Sequence, residues 1–173
     1  TYTVPTAAAG TFYYRVRLID TNSGCEQPES TPVTILVNPD ATVSISANNS
    51  QVCVGGDVTL SSVVSNGSSQ RTLQWQSGPT VTGPWANISG ATTGTYVAPT
   101  IVAGTYHYRL QVLDPVSGCA EPASNVITIT IFNDPTVSIA VNNPAVCVGG
   151  SALLTVTTVA GSGTFLYQWE SAS

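Results

Sequence analysis

Apolar and polar residues alternate along most of the chain, the period that puts every second side chain on one face of a strand. Val43, Ile45 and Ala47 share one face of a first predicted strand, and Val58, Leu60 and Ser62 share one face of a second, after the Gly55-Gly56 turn. Leu73 and Trp75 mark a third, with Gln74 and Gln76 facing the other way. Tyr106, Tyr108, Leu110 and Val112 alternate with His107, Arg109 and Gln111, and Ile127, Ile129 and Ile131 alternate with threonines. About seven short strands of this kind, separated by turns, predict an all-β sandwich with these apolar faces as its core. Trp75 is then the large anchor on the third strand, and Tyr106 stands where a tyrosine corner ties down the chain entering the sixth. A solvent-facing Trp or Tyr could instead stack on a sugar, but the polar neighbours on either side assign both to the core. Trp85, in the Gly83-Pro84-Trp85 turn, is open to two readings: a lid on the edge of the core, or an exposed contact residue.

The pattern repeats. Thr1 to Cys25 aligns without a gap on Thr95 to Cys119, an offset of 94 residues (119 − 25). The same offset carries Thr42 to Gly56 onto Thr136 to Gly150 and Gln74-Trp75 onto Gln168-Trp169, with about half the aligned positions identical. Tyr14 and Trp169 therefore join Trp75, Tyr106 and Tyr108 as expected core residues. So long a period exceeds a solenoid repeat and is close to the roughly 100 residues of an immunoglobulin-type sandwich. Asn38-Pro39-Asp40 and Asn133-Asp134-Pro135 interrupt the strands, because proline cannot continue a ladder. The predicted organisation is the C-terminal part of one immunoglobulin-like repeat at 1–39, a complete repeat at 40–133 and the N-terminal part of a third at 134–173. Linkers of two or three residues predict a semi-rigid rod. The chain reads as a window on a longer protein, with any export signal or anchor outside it.

Composition narrows the function classes. Charged residues make up only 8% of the chain, there is no lysine, and the four basic residues are Arg15, Arg17, Arg71 and Arg109. A net charge of −5 repels the phosphate backbone, so no nucleic-acid partner is expected. No run approaches the roughly 18 to 20 apolar residues of a membrane helix, so no membrane insertion is expected in this segment. The inventory for catalysis is thin: His107 is the sole histidine, its counterpart one period earlier is Tyr13, and no G-x-S-x-G elbow occurs. Asp20, Asp40, Asp114 and Asp134 recur near the expected domain ends, where turn formation explains them better than a calcium site. Neither a catalytic residue, a cofactor nor a metal is expected. Arg15 and Arg109 recur on the outward face of one strand, and a pairing with a nearby Glu or a stacked Tyr is the ordinary role. Asn48, Asn66 and Asn87 begin N-x-S sequences, the acceptor pattern for N-glycosylation. Cys25, Cys53, Cys119 and Cys147 are too scattered for paired zinc ligands and fit disulfides in an oxidising compartment.

The motifs V-C-V-G-G-x-V-T-L (Val52 to Leu60), Q-W-Q (Gln74 to Gln76), N-I-S-G-A-T (Asn87 to Thr92), A-G-T-Y-x-Y-R (Ala103 to Arg109), S-G-C (Ser117 to Cys119) and S-N-V-I-T-I-T (Ser124 to Thr130) resemble the immunoglobulin-like repeats of very large Bacteroidota surface proteins. The resemblance covers the whole chain. It implies export, commonly by the type IX route, display at the cell surface as a long stalk or fibre, and no catalytic residue. The function expected is that of a structural repeat of an extracellular adhesin or surface filament. Its partners would be neighbouring repeats, other copies in a fibre, or a glycan or cell-surface ligand. The alternative is a carbohydrate-binding or spacer module of a secreted multidomain enzyme. For the cysteines, the resemblance suggests a bond from Cys53 to Cys119 within one repeat, worth roughly 3 to 4 kcal/mol in the chain-entropy model. Ordinary sandwich topology offers another: the first turn and last hairpin would lie roughly 25 to 30 Å apart, and Cys53 would meet the last hairpin of the following domain. Cys25 and Cys147 find partners outside the chain in either case.

Overall fold

The computed structural model describes residues 1–21 and 24–172; Asn22 and Ser23, which the repeat alignment includes, and Ser173, in the expected third repeat, lie outside them. Every regular element among the described residues is a strand. β1 (Gly10–Tyr14) and β2 (Val33–Val37) form an antiparallel pair. The central region then runs β3 (Thr42–Ala47), β4 (Gln51–Cys53), β5 (Thr59–Ser65), β6 (Thr72–Gly78), β7 (Ala86–Asn87), β8 (Thr95–Val97), β9 (Gly104–Leu113) and β10 (Ile127–Phe132). β11 (Thr136–Val141) and β12 (Leu154–Val159) close the order as a second antiparallel pair.

The central region builds two sheets. One has the order β4-β10-β9-β6-β7, the other β3-β5-β8, and all pairings are antiparallel except that of β4 with β10. Eight strands stand where about seven were expected, because Gln51–Cys53 pairs in its own right along β10 and two residues pair as β7. Ile45 and Leu60 from the smaller sheet meet Trp75, Tyr108, Leu110, Ile129 and Ile131 from the larger in one apolar cluster. The result is an all-β arrangement of sheets sharing a core, compatible with a β-sandwich.

The alternation seen along the chain is the reason those residues meet. Tyr108, Leu110 and Val112 are buried on β9 while His107, Arg109 and Gln111 lie on its other face. Trp75, Leu60, Leu110, Ile129, Val58 and Val112 are the largest fully buried side chains. Truncating a residue such as Trp75 to alanine costs about 3 to 5 kcal/mol at a site of this kind.

Pairing registers and capping bonds recur 94 residues apart. Phe12↔Ile35 in the first pair corresponds to Tyr106↔Ile129, and Ile139↔Val156 in the last corresponds to Ile45↔Ser62. Ser30 Oγ accepts from Val16 N at 3.1 Å, as Ser124 Oγ does from Leu110 N at 2.9 Å. Asn142 Oδ1 accepts from Leu153 N at 2.7 Å, as Asn48 Oδ1 does from Thr59 N at 2.7 Å.

Two expected core residues of the flanking segments are not enclosed among the described residues. Trp169 is 50% exposed, since residues 164–172 form no strand and no counterparts of β8 and β9 cover its ring among the described residues. Tyr14 is only half-buried, against Tyr2 at 6.0 Å, and Val16 and Leu18 face outward, because β1 and β2 have no opposing sheet among the described residues.

Candidate functional site

Trp75 organises the loops around it. Its indole N–H donates to Thr93 O at 2.8 Å, its main-chain N–H donates to Ala91 O, and its carbonyl accepts from Ile88 N. Gln74 Nε2 donates to Ile88 O at 2.8 Å, so the Q-W-Q and N-I-S-G-A-T motifs are two sides of one hydrogen-bonded unit. Tyr96 and Tyr108 continue the aromatic row, with centroid separations of 6.0 Å from Trp75 to Tyr96 and 5.9 Å from Tyr96 to Tyr108. Burial, with Tyr96 and Tyr106 close by, pushes the Tyr108 phenol up to about 12. Tyr106 lies at the start of β9, and its hydroxyl donates to Val102 O at 3.1 Å, four residues upstream. That bond has the form of a tyrosine corner.

Trp85 neither lids the core nor stands free. It lies half-buried on the outer face of the larger sheet, packed so closely on Gly78 that a β-carbon there would come within 3.1 Å of the indole. The Arg109 guanidinium sits over the ring, 4.6 Å from its centroid, and its Nε donates to Gln76 Oε1 at 2.7 Å. Gln76 Nε2 in turn donates to Asn87 Oδ1 at 2.8 Å. Arg109 thus stacks on a tryptophan where a Glu or Tyr was expected, while Arg15 pairs with Glu29. Sequence spacing could not find the Arg109 partner, because Trp85 comes from a turn that folds back across two strands. His107 shares its face with Pro79, Pro84 and Trp85 around a shallow cavity of about 380 Å³, and its Nδ1 is 3.0 Å from Thr128 Oγ1 in the facing register position. This outer face carries one cation–π contact and a cross-strand His–Thr pair, which hold the sheet surface together.

Two of the recurring aspartates, Asp114 and Asp40, serve a turn and a junction. Asp114 is buried, and its carboxylate accepts from Ser68 N and Ser117 N, each at 3.3 Å. Hydrogen bonds from Ser117, then Ser68, hold its carboxyl below the ordinary value. Asp40 Oδ1 accepts from Ala120 N at 2.9 Å, tying the linker before β3 to the loop between β9 and β10.

Of the two cysteine pairings the sequence leaves open, the one within a repeat, Cys53 with Cys119, does not fit the fold. Cys53 is in register with Phe132 at the last position of β10, and Ile131 in turn pairs with Gly104 at the first position of β9. Cys119 lies beyond the opposite end of β9, past Leu113, in the loop that leads back to β10. The two are separated by the length of a ten-residue strand, roughly 30 Å at about 3.3 Å per residue, against the 7 Å or less between Cα atoms that a disulfide requires. No bond within the unit can join them. Cys25 and Cys147 are exposed, in the segments that join β1 to β2 and β11 to β12.

Residues 41–133, from just before β3 to just after β10, match the family described as Domain of unknown function (DUF8696). The chain belongs to the DUF8696 family. Cys53, Trp75, Trp85, Tyr106, Tyr108 and Cys119 fall inside the DUF8696 domain, and Tyr14, Cys25, Cys147 and Trp169 fall outside it. No curated protein matches the chain.

Proposed function

We propose that the chain is a run of tandem immunoglobulin-like domains from a large extracellular adhesin or surface filament, acting as a semi-rigid stalk or fibre without catalysis of its own. The observation that carries this reading is the recurrence, 94 residues apart, of the same strand registers and the same side-chain caps on both sides of the DUF8696 domain. Strand order supports the immunoglobulin-like assignment. β3-β5-β8 and β4-β10-β9-β6-β7 correspond to the A-B-E and A′-G-F-C-C′ sheets of that fold, with Trp75 on the C strand and Tyr106 on the F strand. Rod-like behaviour is supported by the linker, in which Pro39 O accepts from Gly67 N at 2.9 Å and Asp40 accepts from Ala120 N, so the connection is hydrogen-bonded to the domain it precedes. The resemblance to repeats of Bacteroidota surface proteins supports export and display at the cell surface. The lysine-free edges suit lateral packing of copies, which would cover their unpaired main-chain groups.

Small-angle scattering on the native protein and on fragments of increasing repeat number tests the rod. Its maximum dimension is expected to grow in proportion to the number of repeats, whereas growth with the square root of that number would describe beads on a flexible string. Electron microscopy of the native assembly tests the fibre, and dispersed single molecules would count against it.

A further inference from the structure

A cavity of about 390 Å³ lies between the β1–β2 pair and the central unit. Thr6, Val37 and Asn38 form one wall; Asp40, Gly118 and Cys119 form the other. The first wall has a counterpart 94 residues on, and what that counterpart holds is visible. Thr100 O accepts from Gly55 N at 3.0 Å, and Ile131 and Phe132 pair in parallel with Val52 and Cys53. Thr6, Val37 and Asn38 therefore present the surface that, one period later, carries the V-C-V-G segment Val52–Gly55. Asn38 corresponds to Phe132, the residue in register with Cys53, and Cys119 lines the same cavity from across the junction.

From this we infer that Cys119 is bonded to the cysteine of the V-C-V-G-G strand in the preceding repeat, and Cys53 to the S-G-C hairpin of the following one, so that disulfides clip neighbouring repeats together and leave none within a repeat. The inference rests on the tandem-repeat reading above. A strand paired alongside Asn38 would sit about 4.8 Å from it, bordering the cavity that Cys119 lines from across the junction, and a disulfide there needs the two Cα atoms within about 7 Å. The Asp40 carboxylate accepting from Ala120 N fixes the hairpin one residue from that sulfur. Cys53 ends β4 at a tight turn, with Gly56 N donating to Cys53 O at 2.9 Å and Gly55 at φ +83°, so the sulfur-bearing residue sits at the extremity of its domain. Formation of the bond converts two thiols to one disulfide with release of two protons and two electrons. A disulfide-bearing thiol oxidoreductase accepts the electrons by exchange and leaves as the dithiol.

Mass-spectrometric mapping of the native full-length protein, alkylated without reduction, tests the assignment. Cys119 is expected in a peptide joined to the V-C-V-G-G segment of the preceding repeat. Recovery of Cys119 joined to Cys53, or alkylated as a thiol, overturns the clip. A Cys119→Ser variant of the same protein separates the cases again: it should release one alkylatable cysteine in the preceding repeat and leave Cys53 protected, and exposure of Cys53 would overturn the inference. Limited proteolysis of the same sample reads the repeats independently. Protected fragments at 94-residue spacing with an unbonded Cys119 would sink the clip alone, and loss of that spacing would sink the tandem reading.

Discussion

Asn125 grips Ile45 by both of that residue's main-chain groups: its Oδ1 accepts from Ile45 N at 2.9 Å and its Nδ2 donates to Ile45 O at 3.0 Å. Asn125 belongs to the segment leading into β10, in the larger sheet, and Ile45 to β3, in the smaller. One carboxamide thus does for the two sheets what a ladder rung does within one. Asn125→Ala leaves two partly buried main-chain groups unpaired, and each carries a penalty of about 1 to 3 kcal/mol when water cannot replace the partner. A loss of about 2 kcal/mol in denaturant unfolding is expected. An unchanged midpoint would mean that the amide only decorates the junction.

Tyr106→Phe removes the hydroxyl that donates to Val102 O and leaves the ring in place. Phe12 occupies the equivalent position on β1, beside a glycine with the same φ of 155° as Gly104, so the ring packs without the hydroxyl. The substitution should cost about 0.5 to 1.5 kcal/mol, measured by thermal unfolding. A cost above about 3 kcal/mol would place the hydroxyl in a larger network than the single bond described.

Much of the larger sheet was legible in the chain because its strands bury one face, and burial imposes the alternation that Tyr108, Leu110 and Val112 display. Trp75 was legible for the same reason. The grip of Asn125 on Ile45, 80 residues apart, left no period to read, and neither did the stacking of Arg109 on Trp85, since both depend on which surfaces the topology brings together. β4 was missed because three residues beside a turn carry too little pattern, and its parallel pairing with β10 is what sets Cys53 so far from Cys119. Position in the sheet, not cysteine spacing, decided that question.

The Trp85 and Arg109 pair lends itself to a double-mutant cycle. Trp85→Ala and Arg109→Ala should each destabilise the domain, and their coupling should be about 0.5 to 2 kcal/mol for a partly desolvated cation–π contact. Arg109→Lys should recover little of it, since a lysine loses both the planar stacking and the directed bond to Gln76 Oε1. Additive single effects would show that the two side chains are neighbours without interaction.

Asp114 predicts the acid limb of stability. Hydrogen bonds from Ser117 and Ser68 lower its pKa from the ordinary 3.8, so the native state holds the proton less tightly than the unfolded chain does. The stability it adds is fully present above the unfolded value and is lost as pH falls through the native one. Equilibrium unfolding from pH 5 downward should show this decline, and Asp114→Asn should flatten it.

Tyr108 predicts the alkaline limb with the opposite sign. Its native pKa is raised from 10.0 to about 12, chiefly by burial, so the folded protein holds the phenolic proton more tightly than the unfolded chain does. Below pH 10 the phenol is neutral in both states and pH has no effect through it. Between about 10 and 12 the unfolded chain ionises first, each further rise in pH favours it, and the contribution is gone once pH passes the native value. Denaturant unfolding across that window should therefore show a midpoint that falls with pH. Tyr108→Phe keeps the ring beside Tyr96 and removes the ionisable group, so its midpoint should fall less steeply over the same range. A variant that loses stability in parallel with the unsubstituted protein would assign the alkaline transition to other groups, Tyr96 being the first to test because burial raises its pKa too.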